Sequence, residues 1–234
     1  MTDPALQDHL ASWLGAWPPP GPGVHVVASP RRDEPTWDGA VRPLLGAVTD
    51  DARALVVVAP RIAADVAALL DGREVEALDD EGLATRVGAL VAGDGARLRD
   101  GVLRWATSVV DEEELPDLGT WLSWDDPRVP TWLHPFGHRV LVALDDDAYV
   151  AGVGVKHHDD EGHELAVVTS EQARGRGLAR RLVATAARRH LRDVPVVTYL
   201  HGRDNHASAH VADAVGLPDR GWRVLAVFGG ATEA

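Results

Sequence analysis

The spacing of apolar positions in the C-terminal half switches between a period of two and a helical period. Alternating residues predict strands near 139–144, 149–156 and 163–169, and these three form an antiparallel meander. Helical spacing predicts a helix over 177–191, followed by a strand at 194–201, and a second helix over 205–215, followed by a strand at 222–228. The predicted order is therefore β-β-β-α-β-α-β.

The N-terminal region has a mixed pattern. Asp3 and Pro4 predict a helix start, because Asp caps free amides and Pro is tolerated at the first helical position. The proline-rich run 18–22 must end that helix. Beyond it the pattern predicts strands at 24–28 and 54–59 and helices at 62–70 and 81–91. The region is expected to be an α/β domain.

Residues 111–135 lose any sustained period and carry acidic residues, prolines and three tryptophans, Trp121, Trp124 and Trp132. Such a segment favours a domain boundary, which divides the chain into residues 1–120 and 121–234. We interpret the tryptophans as anchors that pack the segment onto a core. A wall of a substrate pocket is the alternative.

Charge and composition narrow the function. The net charge of −13 disfavours nucleic acid and anionic membranes as partners, since binding phosphates requires clustered cations. The chain has no cysteine, which removes disulfides and thiolate chemistry. No basic leader and no run of about 20 apolar residues is present, so a cytoplasmic location is expected. A homodimer is left open.

The segment Gln172-Ala173-Arg174-Gly175-Arg176-Gly177-Leu178-Ala179 links a predicted strand to an amphipathic helix. A glycine-rich turn at a helix N-terminus presents unpaired amides and the positive end of the helix dipole to an anion such as a diphosphate. Glycine lets backbone approach phosphate closely. In this acidic chain the arginines at 174, 176, 180 and 181 form a local basic patch.

Gln172-x-x-Gly175-x-Gly177 resembles the cofactor loop of the GNAT superfamily of acetyl-CoA-dependent N-acetyltransferases. Asn205-x-x-Ser208 followed by Gly216-Leu217 resembles a second element of that family, and the resemblance covers about 139–228. It implies an α/β (α+β) GNAT fold with a mixed, mostly antiparallel sheet and acetyl-CoA as co-substrate. The implied cofactor-binding residues are Val167, Val168, Thr169, Gln172, Arg174, Gly175, Arg176, Gly177, Leu178, Ala179, Asn205 and Ser208.

A dinucleotide-binding turn is the chief rival reading of the loop, and it fails. Arg180 stands where the third glycine of that fingerprint is required, and the predicted strand ends near Thr169, too far from Gly175 for a tight turn. The chain also has no Gly-Lys-Ser/Thr and no Gly-x-Ser-x-Gly, which removes the P-loop and serine hydrolase readings.

Acetyl transfer needs a base, an oxyanion donor and an acid. The resemblance implies a backbone amide at Val168 or its neighbour as the oxyanion donor. Glu164 is the first candidate base and His163 the second. Family members often carry a tyrosine acid seven residues after the helix asparagine, but this chain has Ala212. Tyr199 and His201, on one face of the same strand, are therefore the candidate acids, with Tyr149 the other tyrosine.

His206 and His210, one helical turn apart, and the group His157, His158 and His163 raise the question of a metal. Spacing fixes no third ligand, so no metal is predicted. The expected function is an N-acetyltransferase acting on a primary amine of a small molecule or protein. The alternative is a non-catalytic module that binds acyl-CoA. The N-terminal region is expected to be an accessory domain or a degenerate copy of the same fold, leaving one CoA site per chain.

Overall fold

The computed structural model describes residues 3–229, which form two compact units. Among these residues, the first unit contains 3–103 and 220–229, and the second contains 104–219. Within the described range no helix has the length and apolar character needed to cross a membrane. Each unit is described below by itself.

The N-terminal unit is an α/β domain, as expected. Its helices are α1 (Pro4–Leu14), α2 (Ala63–Leu70) and α3 (Glu81–Ala92), and its strands are β1 (Gly23–Ala28), β2 (Leu44–Val48), β3 (Arg53–Val58), β4 (Arg97–Ala106) and β10 (Asp219–Phe228). The strand order is β1-β3-β2-β10-β4, with β1 parallel to β3 and the β3–β2 and β2–β10 pairs antiparallel. The pattern did not predict β2 or β4.

The C-terminal unit confirms the predicted order β-β-β-α-β-α, and the last predicted strand, 222–228, lies within β10. It contains β5 (Thr120–Ser123), β6 (Arg139–Asp145), β7 (Ala148–His157), β8 (Gly162–Thr169), α4 (Leu178–His190), β9 (Val196–His201) and α5 (His206–Val215). Strands β5 to β8 pair antiparallel and β8 pairs parallel with β9, so this part of the sheet is mixed and mostly antiparallel. The short edge strand β5 lies in the segment for which the sequence predicted no regular structure.

The two faces of this sheet bury different cores. On the first face, alternate residues such as Val153, Leu165 and Tyr199 pack with Leu182 and Val183 of α4. The opposite face, called the second face below, carries a smaller cluster around Leu133 and Val142. Leu133 belongs to a short 3-10 helix, Thr131–Phe136. Trp121 and Trp132 thus pack on this domain, as interpreted from the sequence, whereas Trp124 is 42% exposed.

Strands β8 and β9 separate part-way along their length. Their parallel pairing runs from Gly162 with Val196 to Leu165 with Tyr199, while β8 continues to Thr169 and β9 to His201. Beyond the last pair the strands no longer share a ladder, so backbone groups of β8 are left facing the gap. This gap, residues 166–169 of β8 opposite 200–201 of β9, is called the split.

Candidate functional site

A cleft of about 810 Å³ opens at the split. Its walls come from the end of β8, the loop before α4, the first turn of α4 and one face of α5. The remaining wall is the vertex of the split, which is the point where the β8–β9 pairing ends at Leu165 and Tyr199. The lining residues are Val167, Val168, Thr169, Ala173, Arg174, Gly175, Arg176, Gly177, Leu178, Ala179, Arg180, Tyr199, Asn205, Ala207, Ser208, His210, Val211 and Ala214. The cleft therefore gathers residues that lie up to 47 positions apart in the chain.

The loop at the mouth of the cleft is built for close approach of an anion. Gly175 and Gly177 have φ angles of 77° and 73°, in the left-handed region that favours glycine. A Cβ at Gly175 would meet no atom within 4 Å, so the backbone there is open. Gly177 is the N-cap of α4 and no side chain caps this helix start. The free amides and the dipole end of α4 thus point to a ligand with negative charge.

The first turn of α4 carries Arg180 and Arg181 and no acidic residue. Positive side chains are unfavourable at a helix N-terminus, where the dipole is itself positive. Arg181 donates to the carbonyls of Pro116 and Asp117, whereas Arg180 lines the cleft. Arg176 pairs with Asp145 at 3.0 Å across the loop. The charge of Arg180 is therefore placed where a bound anion would offset it.

The edge of β8 offers specific backbone groups to the split. Ser170 donates its N–H to Val150 of β7, and the Val168 carbonyl accepts from the Tyr149 hydroxyl at 2.8 Å. Because backbone groups alternate in direction along a strand, Val168 faces β7 and its neighbours Val167 and Thr169 face the split. The backbone groups that face the cleft therefore belong to Val167 and Thr169, the neighbours of Val168. Val168 itself was the first oxyanion donor predicted from the sequence.

Helix α5 and the vertex of the split form the opposite wall. Asn205 caps α5 by accepting from the Ser208 amide at 3.0 Å. Tyr199, the last residue of the β8–β9 pairing, lines the cleft and is only 2% exposed. Burial raises the pKa of Tyr199, and a hydrogen bond with Ser208 opposes that shift. The phenol is therefore neutral and carries its proton at the vertex.

The sequence of this unit matches one known family model. The model for the acetyltransferase (GNAT) family matches residues 103–217. Residues 103–217 of this chain belong to the GNAT acetyltransferase family. The match covers the split, the glycine loop and the Asn205 helix, so the GNAT domain supplies the whole cleft.

Several solved structures are similar to this chain at low identity. An acetyltransferase from the GNAT family of Colwellia psychrerythraea is 12% identical, covering 62% of each chain with a TM-score of 0.44. A GCN5-related N-acetyltransferase-like protein from Streptococcus suis is 16% identical, covering 61% of this chain and 67% of that one at 0.43. A GCN5-related N-acetyltransferase from Kribbella flavida is 16% identical, covering 58% of this chain and 61% of that one with a TM-score of 0.43. The chain thus spans less than two thirds of the first and third structures. No curated protein matches the sequence.

Most of the residues predicted for the cofactor line the cleft of the GNAT domain. Gln172 is the exception, because it is exposed in the short 3-10 helix Glu171–Ala173 and is not among the lining residues. Tyr199 lines the cleft, whereas Glu164 and His201 do not. Six further lining residues were not among those predicted to bind the cofactor: Ala173, Arg180, Ala207, His210, Val211 and Ala214. Helical spacing from the predicted residue Ser208 would have found Val211, three residues on, and Ala214, three further on.

Glu164 lies on the second face, one residue before the vertex of the split, and is 2% exposed. Its carboxylate forms an ion pair with Lys156 and accepts from His158 Nε2 at 2.9 Å. Burial alone would raise the pKa of Glu164, but the Lys156 charge and the His158 contact outweigh it and lower the pKa to about 2. Glu164 is therefore ionised and held in place.

His201 has a structural environment of its own. The Nε–H of Arg104 donates to His201 Nε2 at 3.0 Å, and His201 Nδ1 donates to the Gly202 carbonyl at 2.8 Å. Accepting at Nε2 requires the neutral ring. Arg104 is buried and also pairs with Asp213 of α5 at 2.9 Å. His201 is therefore held by Arg104, which itself pairs with α5, and its candidacy as an acid stays a prediction.

Ala212, at the position where many family members have tyrosine, is fully buried in the first-face core. Most of the cleft-lining residues of α5 lie on a different side of the helix, at 207, 210, 211 and 214. Tyr199 reaches Ser208 of the same helix from β9. The phenol nearest to α5 in the cleft is thus provided by a strand.

Three histidines form a chain at the far end of the GNAT domain. His157 Nδ1 lies 3.0 Å from His163 Nε2, and His163 Nδ1 lies 2.9 Å from His190 Nδ1. Neutral imidazoles satisfy such a chain, since each ring can donate one N–H and accept at the other nitrogen. Across residues 3–229, no group of three or more His, Cys, Asp or Glu side chains has a metal-binding arrangement.

Proposed function

We propose that the GNAT domain binds acetyl-CoA in the cleft and transfers its acetyl group to a primary amine. The observation that supports this most is the uncapped start of α4, with Gly177 as N-cap and Arg180 in its first turn, directly beside the split. A helix start that breaks the usual rules of capping and charge is expected where a ligand completes it. The acceptor is expected to be a small molecule or a peptide.

The residues present fit this co-substrate. Open backbone at Gly175, the amides of α4 and Arg180 would hold the diphosphate. The outward backbone groups of Val167 and Thr169 would pair with the pantetheine arm, as the family resemblance implies. Acetyl-CoA supplies an activated thioester: its C–S bond breaks, a C–N bond forms, the amine loses a proton and the sulfur gains one.

Tyr199 is the proposed proton donor to the departing sulfur. Its hydroxyl is neutral, buried and at the vertex, and Ser208 orients it. The Val167 N–H is the proposed oxyanion donor, because it faces the split from a rigid strand. These roles use groups that the fold fixes before any substrate arrives, which is what electrostatic catalysis requires.

Glu164 receives a different proposed role from the one that the sequence suggested. A carboxylate whose pKa is lowered to about 2 takes up protons poorly near neutral pH. We therefore propose that Glu164 positions Lys156 and His158 beside the vertex. Glu164→Gln should then leave the pH at which kcat/KM is half-maximal unchanged, whereas loss of a general base would remove the acid limb of the profile.

The test is release of CoA thiol from acetyl-CoA in the presence of a panel of primary amines, together with calorimetric binding of acetyl-CoA. We expect amine-dependent release, and a Tyr199→Phe variant should lose about 10- to 100-fold in kcat with unchanged binding. Binding without release by any amine would favour the alternative, a non-catalytic acyl-CoA-binding module. Ala212 at the usual tyrosine position is the observation behind that alternative.

A further inference from the structure

The cofactor cleft reaches both faces of the sheet. Val167 and Val168 are consecutive strand residues, so their side chains point to opposite faces, and both line the cleft. Val168 points to the second face and is 46% exposed, which is high for a valine in a central strand. A group held in the split is thus accessible from the second face.

The second face beside the split is built as three rungs between β7 and β8. Gly152 pairs with Val168, and Gly154 pairs with Ala166. Lys156 pairs with Glu164 in the third rung, nearest the vertex. Paired residues of antiparallel strands share a face, so β7 contributes two positions without side chains and β8 contributes two small ones.

Aromatic rings occupy the space above the two glycines. A Cβ at Gly152 would lie 2.9 Å from Leu133 Cδ1 and 3.1 Å from Tyr149 Cε2, and a Cβ at Gly154 would overlap the ring of Phe136. Trp132 backs Phe136 edge-on, with ring centroids 5.9 Å apart. The Tyr149 hydroxyl is fixed by its bond to the Val168 carbonyl. The two rings therefore stand beside the strip formed by Ala166 and Val168, with Glu164 and Lys156 at its end.

Charge at this strip suits a cation. The hairpin that precedes Tyr149 contains three exposed carboxylates, Asp145, Asp146 and Asp147, of which Asp145 pairs with Arg176 and Asp147 with Arg128. Burial raises the pKa of Tyr149 to about 12, so its ring stays neutral and its face can attract an ammonium group. Acidic residues at the approach and aromatic faces along the strip together favour an organic amine that carries an apolar group.

We infer, on the basis of the proposed function, that the acceptor is an arylalkyl primary amine that lies along Ala166 and Val168 against Phe136 and Tyr149. Phe136 and Tyr149 are then specificity-determining residues. The ring of the acceptor packs against these side chains, and its amine reaches the split at Val168, which opens onto the second face. Gly152 and Gly154 have no side chains, so the rings of Tyr149 and Phe136 can lie close to the sheet.

The experiment compares phenethylamine with 1,4-diaminobutane, a primary amine without an aromatic group. Calorimetry measures the binding of each amine to the CoA-saturated protein, and thiol release from acetyl-CoA measures transfer. We expect phenethylamine to bind at least about 10-fold more tightly, since burying an aromatic ring contributes more than about 1.4 kcal/mol. Phe136→Ala and Tyr149→Ala should remove most of this preference, while Phe228→Ala, an exposed ring of the N-terminal unit, should keep it.

The two readouts separate this inference from the proposed function. Equal or tighter binding of the diamine, or a preference that survives both Phe136→Ala and Tyr149→Ala, would overturn the aromatic acceptor site. Preferential binding of phenethylamine without thiol release would support the site and contradict acetyl transfer. Tyr149→Phe keeps the ring and should keep the preference, which guards against loss of folding as the cause of a change.

Discussion

Helices α3 and α4 begin in opposite ways. Asp80 caps α3 by accepting from the Leu83 amide at 2.7 Å, and Glu81 follows in its first turn. The start of α4 has glycine at the N-cap, no side-chain cap and two arginines in the first turn. The first arrangement stabilises a helix alone, and the second is unfavourable until an anion is added. The difference separates a helix start that serves folding from one that serves binding.

The other end of α4 shows that its start is a local exception. Arg188 and Arg189 occupy the last turn, where positive side chains are favourable. Arg188 also donates to the carbonyls of Val110 and Leu115, which fixes the preceding segment to the helix. The remainder of α4 thus follows the rules that apply to α3. Only the turn that lines the cleft departs from them.

The largest expected effect comes from blocking the open backbone before α4. Gly175→Glu with Gly177→Glu should abolish acetyl-CoA binding, by at least about 100-fold in Kd, because side chains and negative charge would occupy the anion site. Titration calorimetry measures this. The matched control is Gly82→Glu in the first turn of α3, which should bind as the parent does. Equal binding by the double variant would remove the proposed cofactor loop.

A charge reversal at each helix start should sharpen the contrast. Arg180→Glu is expected to raise the free energy of unfolding of the free protein by about 0.5 kcal/mol, because it restores a favourable charge at the dipole. The same change should weaken acetyl-CoA binding by about 10-fold or more. Glu81→Arg in α3 should lower stability by a similar amount without changing binding. Urea titration gives the free energy of unfolding and calorimetry gives the Kd. An Arg180→Glu variant that is both less stable and weaker in binding, or both more stable and tighter in binding, would contradict the proposed role of Arg180.

Much of this arrangement could be predicted from the sequence. The glycine loop, the meander before it and the Asn205 element depend on local spacing, and the structure confirms their order. Strand β5 was missed because Thr120–Ser123 is too short to show a period, and β2 because Leu44–Val48 is buried throughout and does not alternate.

The surroundings of individual side chains were harder to predict. Glu164 was chosen as a base from its strand position, but its ion pair with Lys156 depends on the register of the β7–β8 hairpin. His163 was grouped with His157 and His158 around a turn, whereas its second neighbour, His190, comes from the end of α4. Register and helix packing are properties of the fold, and periodicity does not specify them.

The histidine chain at the C-terminal end of α4 should make the stability of the protein depend on pH. Burial, aided by His157 and His190 and opposed by Asp159 and Asp193, lowers the pKa of His163 from 6.5 to about 3. Below 6.5 the unfolded chain binds a proton that the folded chain does not, so stability should fall as the pH falls toward 3. We expect a loss of about 1 kcal/mol between pH 6.5 and 5, after allowance for solvent screening.

Urea unfolding at several pH values measures this loss. His163→Asn should flatten the dependence, and His206→Asn, at an exposed position of α5, should not. Acetyl-CoA binding at neutral pH should be the same in both variants, because the histidine chain lies at the opposite end of α4 from the cleft. A pH dependence that persists without His163 would assign the effect to other groups.

The smallest expected effect is the loss of the ordinary cap on α3. Asp80→Ala removes the acceptor for the Leu83 amide and should lower the free energy of unfolding by about 0.5–1 kcal/mol. Adding acetyl-CoA should stabilise the variant and the parent by the same increment, because the ligand contacts neither α3 nor its cap in the proposed mode. Thermal unfolding with and without the ligand measures both quantities. An increment that differs between the two proteins would show that α3 contributes to binding, and the division between the two kinds of helix start would fail.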